Sequence, residues 1–112
     1  MSTIVDEAVS APAALAALVQ VQPGAVVSRT LLRNPGGTLT LFAFDAGQGL
    51  SEHSTPHDAS VLVLEGVARV SIAGAGHTVP AGQILHLPAG VPHALEAPEA
   101  FKMLLVMLRT AV

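Results

Sequence analysis

The stretch that decides the fold is residues 82–93, which read GQILHLPAGVPH. A glycine leads into a short apolar run, and a Pro-x-Gly turn ends that run before a histidine. Gly82 permits a sharp entry that a residue with a β-carbon resists. Pro88 fixes φ and ends ladder pairing, and Gly90 supplies a φ that other residues avoid. The stretch therefore predicts a strand, a tight turn and a second strand, whose first residue, His93, aims an imidazole into the mouth of a β structure.

Turn signals rich in glycine and proline recur along the rest of the chain from residue 22 onward. Their spacing of about 8–12 residues is typical of a β-sandwich or barrel. The sequence between them predicts eight strands, over 25–33, 38–45, 61–65, 67–73, 77–79, 83–87, 93–96 and 101–109. We therefore expect an all-β domain over residues 22–112.

Residues 1–21 are predicted to form a separate N-terminal arm, helical or irregular, outside that domain. Residues 1–10 show no clear periodicity of apolar side chains, so we expect them to form a loose segment. Residues 13–19 are rich in Ala and Leu, which favour a short helix. Ser10 is placed to cap that helix, with Pro12 tolerated in its first turn.

Composition narrows the possible functions. The chain has 112 residues, enough for one domain, and a net charge of −3 without a basic cluster. Its aromatic residues are three phenylalanines. Both features argue against a nucleic-acid surface. The absence of cysteine excludes disulfides, thiolate metal sites and cysteine nucleophiles.

Neither a signal peptide nor a membrane span is predicted at the N-terminus. It carries Asp6 and Glu7 and has no Lys or Arg before Arg29, so it lacks the charged head of a secretory signal. The apolar run 11–21 is interrupted by Pro12 and is shorter than the ~20 residues that span a bilayer. We expect a cytoplasmic protein with no membrane partner.

Two predicted strands are apolar on both faces. Residues 61–64 and 101–108 barely alternate, although a solvated antiparallel sheet alternates apolar with polar side chains. The chain is 51% apolar and only 12% charged, against ~25% charged residues in a typical soluble domain. Because the simplest cover for a second apolar face is another copy of the chain, we expect a homodimer formed through an outer sheet face.

Residues 82–93 resemble the second signature of the cupin superfamily. That signature is a Gly, five residues, Pro-x-Gly, two residues, His, three residues and Asn. Every position matches down to His93, and Ala97 stands where the family has Asn.

The first cupin signature is only partly matched. It consists of a Gly, five residues, His-x-His, three or four residues, Glu, six residues and Gly. Gly47, His53 and Gly66 fit this pattern. Thr55 stands at the second His position and Ala59 at the Glu position, and neither residue is a strong metal ligand.

The resemblance covers about residues 38–109 and implies a jelly-roll β-barrel, the double-stranded β-helix of cupins. Members have six to eight strands and are usually dimers. Most bind a divalent metal in the barrel through three His and one Glu. Their functions range from dioxygenases, decarboxylases and sugar epimerases to binding and regulatory domains. The chain is similar to short single-domain bacterial cupins, many of which have no assigned activity.

The candidate metal ligands are His53, His57 and His93, with Asp58 as an alternative fourth. In a straight strand the α-carbons of His53 and His57 lie roughly 13 Å apart, whereas the ligating nitrogens on one metal lie only about 3 Å apart. The site therefore requires Pro56 to fold the chain back. A three-imidazole face would then suit a divalent ion of Zn, Ni, Fe, Mn or Cu.

Each of these residues also has a simpler interpretation. His93 fills the barrel mouth, His57 is an exposed turn residue, and Asp58 caps a turn, which is the role we favour for it. His86 is expected to be buried at a packing or dimer surface, and His77 to be exposed.

Two functions are compatible with this sequence. The first is a metal-dependent enzyme that activates O2 or polarises a carbonyl. Its reaction class stays open because no carboxylate is clearly placed as a general base. The second is a non-catalytic cupin that binds or senses a small molecule in an apolar barrel, where protonated imidazoles would attract an anion or carboxylate. A weaker third possibility is a component of a larger assembly with no site of its own.

Overall fold

Two antiparallel sheets form the protein. Its structure is a computed structural model, described here over residues 2–109. The strands are β1 (Ile4–Val5), β2 (Val26–Asn34), β3 (Gly37–Phe44), β4 (Gly49–His53), β5 (Asp58–Glu65), β6 (Val67–Ile72), β7 (Ala75–Pro80), β8 (Ile84–Leu87), β9 (His93–Glu96) and β10 (Phe101–Leu108). The large sheet has the order β1-β2-β3-β10-β5-β8, and the small sheet has the order β4-β9-β6-β7. This is the predicted all-β jelly-roll architecture.

The main core lies between the two sheets. Alternate residues of β5 and β10 point inward, so that Val61 and Val63 lie beside Met103 with almost no exposed surface. Phe44 and Phe101 stack with ring centroids 4.5 Å apart. Each such side chain contributes about 1.5–3 kcal/mol when it is fully buried. The deep part of the barrel is thus filled by side chains.

A second core lies on the outer face of the large sheet. Leu41 and Ala43 of β3 point outward and are fully buried. They are covered by the chain's own arm, which packs Leu15, Leu18 and Val19 against them. The arm therefore buries part of the apolar outer sheet face that we expected a second copy of the chain to bury.

Polar bonds hold the arm in place. Arg29 of β2 pairs with Asp6 at 2.7 Å and donates to the Leu18 carbonyl at 2.8 Å. Lys102 of β10, largely buried beneath the arm, donates to the Ala16 carbonyl at 2.8 Å. Two cations of the sheet thus bind backbone carbonyls of the arm.

The arm is irregular, as predicted, but its described part is not loose. Ile4–Val5 pairs with β2 as an edge strand, and two 3-10 helices follow, over Glu7–Val9 and Leu15–Leu18. Asp6 caps the first helix, while Ser10 lies at its C-terminal end and does not start the second. The division into an arm over 1–21 and a barrel over 22–112 stays a prediction, and residues 1 and 110–112 lie outside the described range.

The eight predicted strands are confirmed with small shifts at their ends. The prediction missed β1 and β4. β4 reads GLSEH and holds one apolar residue, Leu50, so it carries no period-2 signal. Within residues 2–109, no helix has the length and apolar character needed to span a membrane.

Candidate functional site

His53 and His93 lie side by side in the small sheet. His53 ends β4 and His93 begins β9, and the two are directly paired across the strands. Their ring centroids are 4.5 Å apart at an interplanar angle of 69°, an edge-to-face contact. The two histidines that fit the cupin signatures therefore meet.

A β-bulge places His53 on the same face as His93. Leu50 pairs with Leu95 and His53 pairs with His93, so β4 holds one extra residue between the two pairs. Regular pairing from Leu50 would set Glu52 opposite His93 and turn His53 outward. Because Leu95 belongs to the main core and directly paired residues share a face, both imidazoles lie on the inner side of the sheet.

Backbone carbonyls orient both rings. Nδ1 of His53 lies 2.8 Å from the Ser51 carbonyl, and Nδ1 of His93 lies 3.3 Å from the Val91 carbonyl. A carbonyl can only accept, so in the neutral ring Nδ1 carries the proton and donates it. The lone pair is then on Nε2 in both residues. This is the tautomer in which a histidine binds a metal through Nε2 with its other nitrogen held by the protein.

The two rings differ in exposure. His93 is only 6% exposed, whereas His53 is an exposed residue. Burial lowers the pKa of His93, the positive charge of His53 lowers it further, and the hydrogen bond to the Val91 carbonyl partly opposes both. The surroundings of His93 therefore favour its uncharged form, in which Nε2 carries a lone pair.

The remaining positions of the first cupin signature hold no strong ligand. The Thr55 hydroxyl donates to the His57 carbonyl at 3.0 Å and accepts from the His57 amide at 3.1 Å. Ala59 packs against the main core, so a methyl group faces inward where the family has a carboxylate. The imidazoles of His53 and His93 are thus the strong metal ligands that the structure brings together at the signature positions.

His57 is half-buried in the bend before β5. Within residues 2–109, no group of three or more His, Asp or Glu side chains is arranged to hold a metal ion. The three-histidine site of His53, His57 and His93 therefore stays a prediction.

Asp58 connects the two signatures. Its Oδ1 accepts from Nε2 of His86 at 2.9 Å and from the amide of Ala89 at 3.0 Å, in the Pro-x-Gly turn. Both bonds lower the pKa of Asp58, and the bond from His86 has the larger effect. Asp58 caps a turn, as we favoured, but that turn is 31 residues away in sequence.

The Pro-x-Gly turn is held at a second point. The Gly90 amide donates to the Thr55 carbonyl at 2.7 Å. Gly90 has φ +75° and Gly82 φ +85°, the left-handed values that the sequence predicts for both. The turn that precedes His93 is therefore held by the segment that follows His53.

His86 is not buried by packing within the chain, so that part of our expectation is wrong, and its burial at a dimer surface stays a prediction. Its side chain is 59% exposed, because it lies on the outer face of β8, at the edge of the large sheet. His77 is exposed on β7, as expected. Sequence reasoning could not identify the carbonyls of Ser51 and Val91 as partners of the two imidazoles, since every residue has a backbone carbonyl.

Comparison with known proteins agrees with the fold. Residues 40–108 match the family model of the cupin domain. This chain belongs to the cupin family. Among curated proteins, none matches it.

Solved structures of similar proteins come from several bacteria. A conserved protein of unknown function from Streptococcus pyogenes is 38% identical with a TM-score of 0.87, over 92% of this chain and 90% of that one. A cupin superfamily protein from Desulfitobacterium hafniense is 28% identical with a TM-score of 0.85, over 89% and 92%. A cupin 2 conserved barrel domain protein from Leptotrichia buccalis is 38% identical with a TM-score of 0.82, over 84% of this chain and 46% of that one.

Proposed function

We propose that this cupin binds a divalent metal ion at the mouth of its barrel, with His53 and His93 as imidazole donors and His57 as the third ligand. The observation that carries the proposal is the 4.5 Å contact of the two rings, each with Nδ1 held by a carbonyl. Two adjacent imidazoles with Nε2 lone pairs suit Zn, Ni, Fe, Mn or Cu. Bound there, such an ion would act as a Lewis acid toward a small organic molecule in the barrel.

The protein's own residues set the limits of this chemistry. Ala59 at the family Glu position brings no carboxylate to the barrel interior, so the proposal names no general base and no reaction class. His93 is shielded from solvent, and burial lowers its pKa and so favours the uncharged ring, while His53 is exposed to solvent. The pair would therefore offer a ligand one buried and one exposed imidazole.

A second candidate function is non-catalytic binding of a small molecule without metal. Thr55 and Ala59 favour it, because they occupy two ligand positions of the first signature and neither is a strong metal ligand. The ligand would then be an organic anion that lies against the imidazoles with its apolar part toward the barrel.

Metal analysis of protein purified without an affinity tag separates the two functions. We expect about one bound divalent ion per chain, and calorimetric affinity for Zn²⁺ that falls at least ~10-fold in His53→Ala and in His93→Ala. His57→Ala tests the third ligand. His77→Ala is the matched control, since His77 is exposed on β7, outside the site.

Metal-free protein whose weak Zn²⁺ affinity is the same in all four variants would overturn the metal site. The second function would then be tested with small carboxylates. Binding that is lost in His93→Ala would support it, and carboxylate binding unaffected by that substitution would exclude it.

A further inference from the structure

The outer face of the small sheet carries two opposite charges that do not meet. Ala68 and Val70 are buried in the main core, so Arg69 between them points outward. Leu95 is buried in the same core, so Glu96 beside it also points outward. Arg69 on β6 and Glu96 on β9 are directly opposite each other. Opposite charges in such positions ordinarily pair across the strands, yet within residues 2–109 neither side chain forms an ion pair.

The guanidinium of Arg69 is held on the side of β6 that is away from Glu96. Its Nη1 donates to the hydroxyl of Thr78 at 3.0 Å, and Thr78 is opposite Arg69 on β7. Gly76, the next residue of β7 on this face, leaves room for the group, because a β-carbon there would lie 2.7 Å from Nη2. The guanidinium therefore lies over β7. Thr78 takes one of its five N–H groups, so Nε and Nη2 can donate to a ligand.

A hollow lies beside the two charges. Its volume is about 220 Å³. Apart from the two charged side chains, it is lined by the small residues Ser71, Gly74, Gly76 and Ala94. Strand register sets Ser71 between Gly76 and Ala94, so the floor of the hollow is backbone, a methyl group and one hydroxyl. A small polar molecule can therefore approach the guanidinium and the carboxylate together.

The spacing of the two charges fits a ligand that carries both signs. The guanidinium lies over β7 and Glu96 projects from β9, and these strands flank β6. Strands lie about 4.8 Å apart, so roughly 9.6 Å separates β7 from β9. One hydrogen bond of about 2.9 Å at each end leaves roughly 4 Å between the charged groups of the ligand. A small amino acid spans such a gap.

The signs of the charges disfavour a ligand with a single charge. An anion on Arg69 would lie near the carboxylate of Glu96, and a cation on Glu96 would lie near the guanidinium of Arg69. A zwitterion instead places each of its charges beside the opposite one. Its carboxylate can also accept from Nε and Nη2 as a bidentate pair, the stronger arrangement for a guanidinium.

We propose that this hollow binds a small amino acid as its zwitterion, with the carboxylate on Arg69 and the ammonium on Glu96. The hollow lies on the face of β9 opposite to His93, because neighbouring residues of a strand point to opposite faces. Amino acid binding here is therefore separate from any metal or ligand at the His53–His93 pair.

Titration of the full chain with glycine at low ionic strength, followed by NMR, tests this proposal. Low salt is used because exposed charges are screened at physiological ionic strength. We expect saturable shifts of the Arg69 Nε signal and of amides in β6, β7 and β9. N-acetylglycine lacks the ammonium and glycinamide lacks the carboxylate, so each should bind at least ~10-fold more weakly than glycine.

Three substitutions test the residues of the hollow. Arg69→Gln and Glu96→Gln should each raise the dissociation constant for glycine at least ~10-fold. Gly76→Ala keeps both charges but displaces Nη2, so it should also weaken binding, and residue 76 does not have a positive φ that would oppose alanine. Arg33→Gln, at an exposed position on β2 in the other sheet, is the matched control and should bind glycine as the wild type does. All four positions are exposed, so circular dichroism should show an unchanged fold.

The absence of a saturable shift with glycine would overturn the proposal, as would equal glycine affinity in the wild type, Arg69→Gln and Glu96→Gln. Acetate that binds as tightly as glycine would also overturn it, because an anion alone would then be sufficient.

Discussion

At the scale of single residues, the site depends on which nitrogen of each histidine is available. Both Nδ1 atoms face carbonyls, which fixes the tautomer without any charged neighbour. The sequence predicted the positions of His53 and His93 because both fall on cupin signature positions. It did not predict their tautomers, since the two carbonyls belong to Ser51 and Val91 and depend only on backbone conformation.

The lowered pKa of His93 has a consequence for stability in the metal-free protein. The folded chain resists protonation of this ring, so the unfolded chain takes up the proton first as pH falls through about 6.5. His93 therefore contributes stability above that pH that is lost as pH decreases toward its folded pKa. We expect His93→Gln to reduce the pH dependence of the urea midpoint between pH 7.5 and 5, with His77→Gln as the control. An unchanged slope in His93→Gln would contradict the assignment.

Ala73 is a strained residue close to the site. It occupies the tip of the β6–β7 hairpin with φ +51°, and its amide donates to the Pro92 carbonyl at 2.8 Å, just before His93. Left-handed backbone costs alanine roughly 1–2 kcal/mol, and glycine adopts it freely at some loss of entropy. We expect Ala73→Gly to stabilise the protein by about 0.5–1 kcal/mol in urea denaturation.

The control for this substitution is Ala75→Gly in the adjoining strand. Ala75 does not have a positive φ, so glycine there should destabilise by about 0.5–1 kcal/mol. Equal losses of stability in the two variants would show that Ala73 carries no strain.

At the scale of elements, the two cupin signatures are joined by the Pro-x-Gly turn. Ala89 donates to Asp58 and Gly90 donates to the Thr55 carbonyl, so the approach to β9 is set by the segment before β5. The sequence predicts the turn itself from Pro88 and Gly90. It could not predict the partners of that turn, because they are more than 30 residues away and one is a backbone carbonyl.

A single substitution in β10 tests how the arm is held against the large sheet. Lys102 is 10% exposed at its side chain, and its Nζ bonds the Ala16 carbonyl. Lys102→Met keeps the length of the side chain and removes this bond, which for a charged donor contributes about 1.5–3 kcal/mol. It also removes the 3.5 Å ion pair with the exposed carboxylate of Glu65, which lies in the sheet and not in the arm. We expect hydrogen exchange to quicken in the arm around the helix Leu15–Leu18 while the strands of the main core stay protected. Arg33→Met, at an exposed position on β2, is the control; exchange that quickens equally in both variants would contradict the role of Lys102.

At the scale of the whole molecule, the sequence predicted the barrel but not that the N-terminal arm packs on its outer face. Glycine and proline mark the ends of most strands in the sequence, because the turns between strands need φ values that these residues favour. Non-alternating strands showed that a second face is covered, but periodicity alone cannot tell the arm from another chain. In the structure, the arm covers Leu41 and Ala43 of β3, whereas Ile84 and Leu108 are exposed. The chain therefore combines a histidine pair on the inner side of the small sheet with exposed apolar side chains on the large sheet.

Titration of metal-free protein with Zn²⁺, followed by imidazole-selective NMR, tests the central claim most directly. All five histidines are observed together in this measurement, so His77 and His86 act as internal controls. We expect the ring signals of His53 and His93 to shift together and to saturate near one equivalent, while those of His77 and His86 stay unchanged. Shifts that begin at His77 or His86, or that leave His93 unmoved at saturation, would contradict a metal site at the His53–His93 pair.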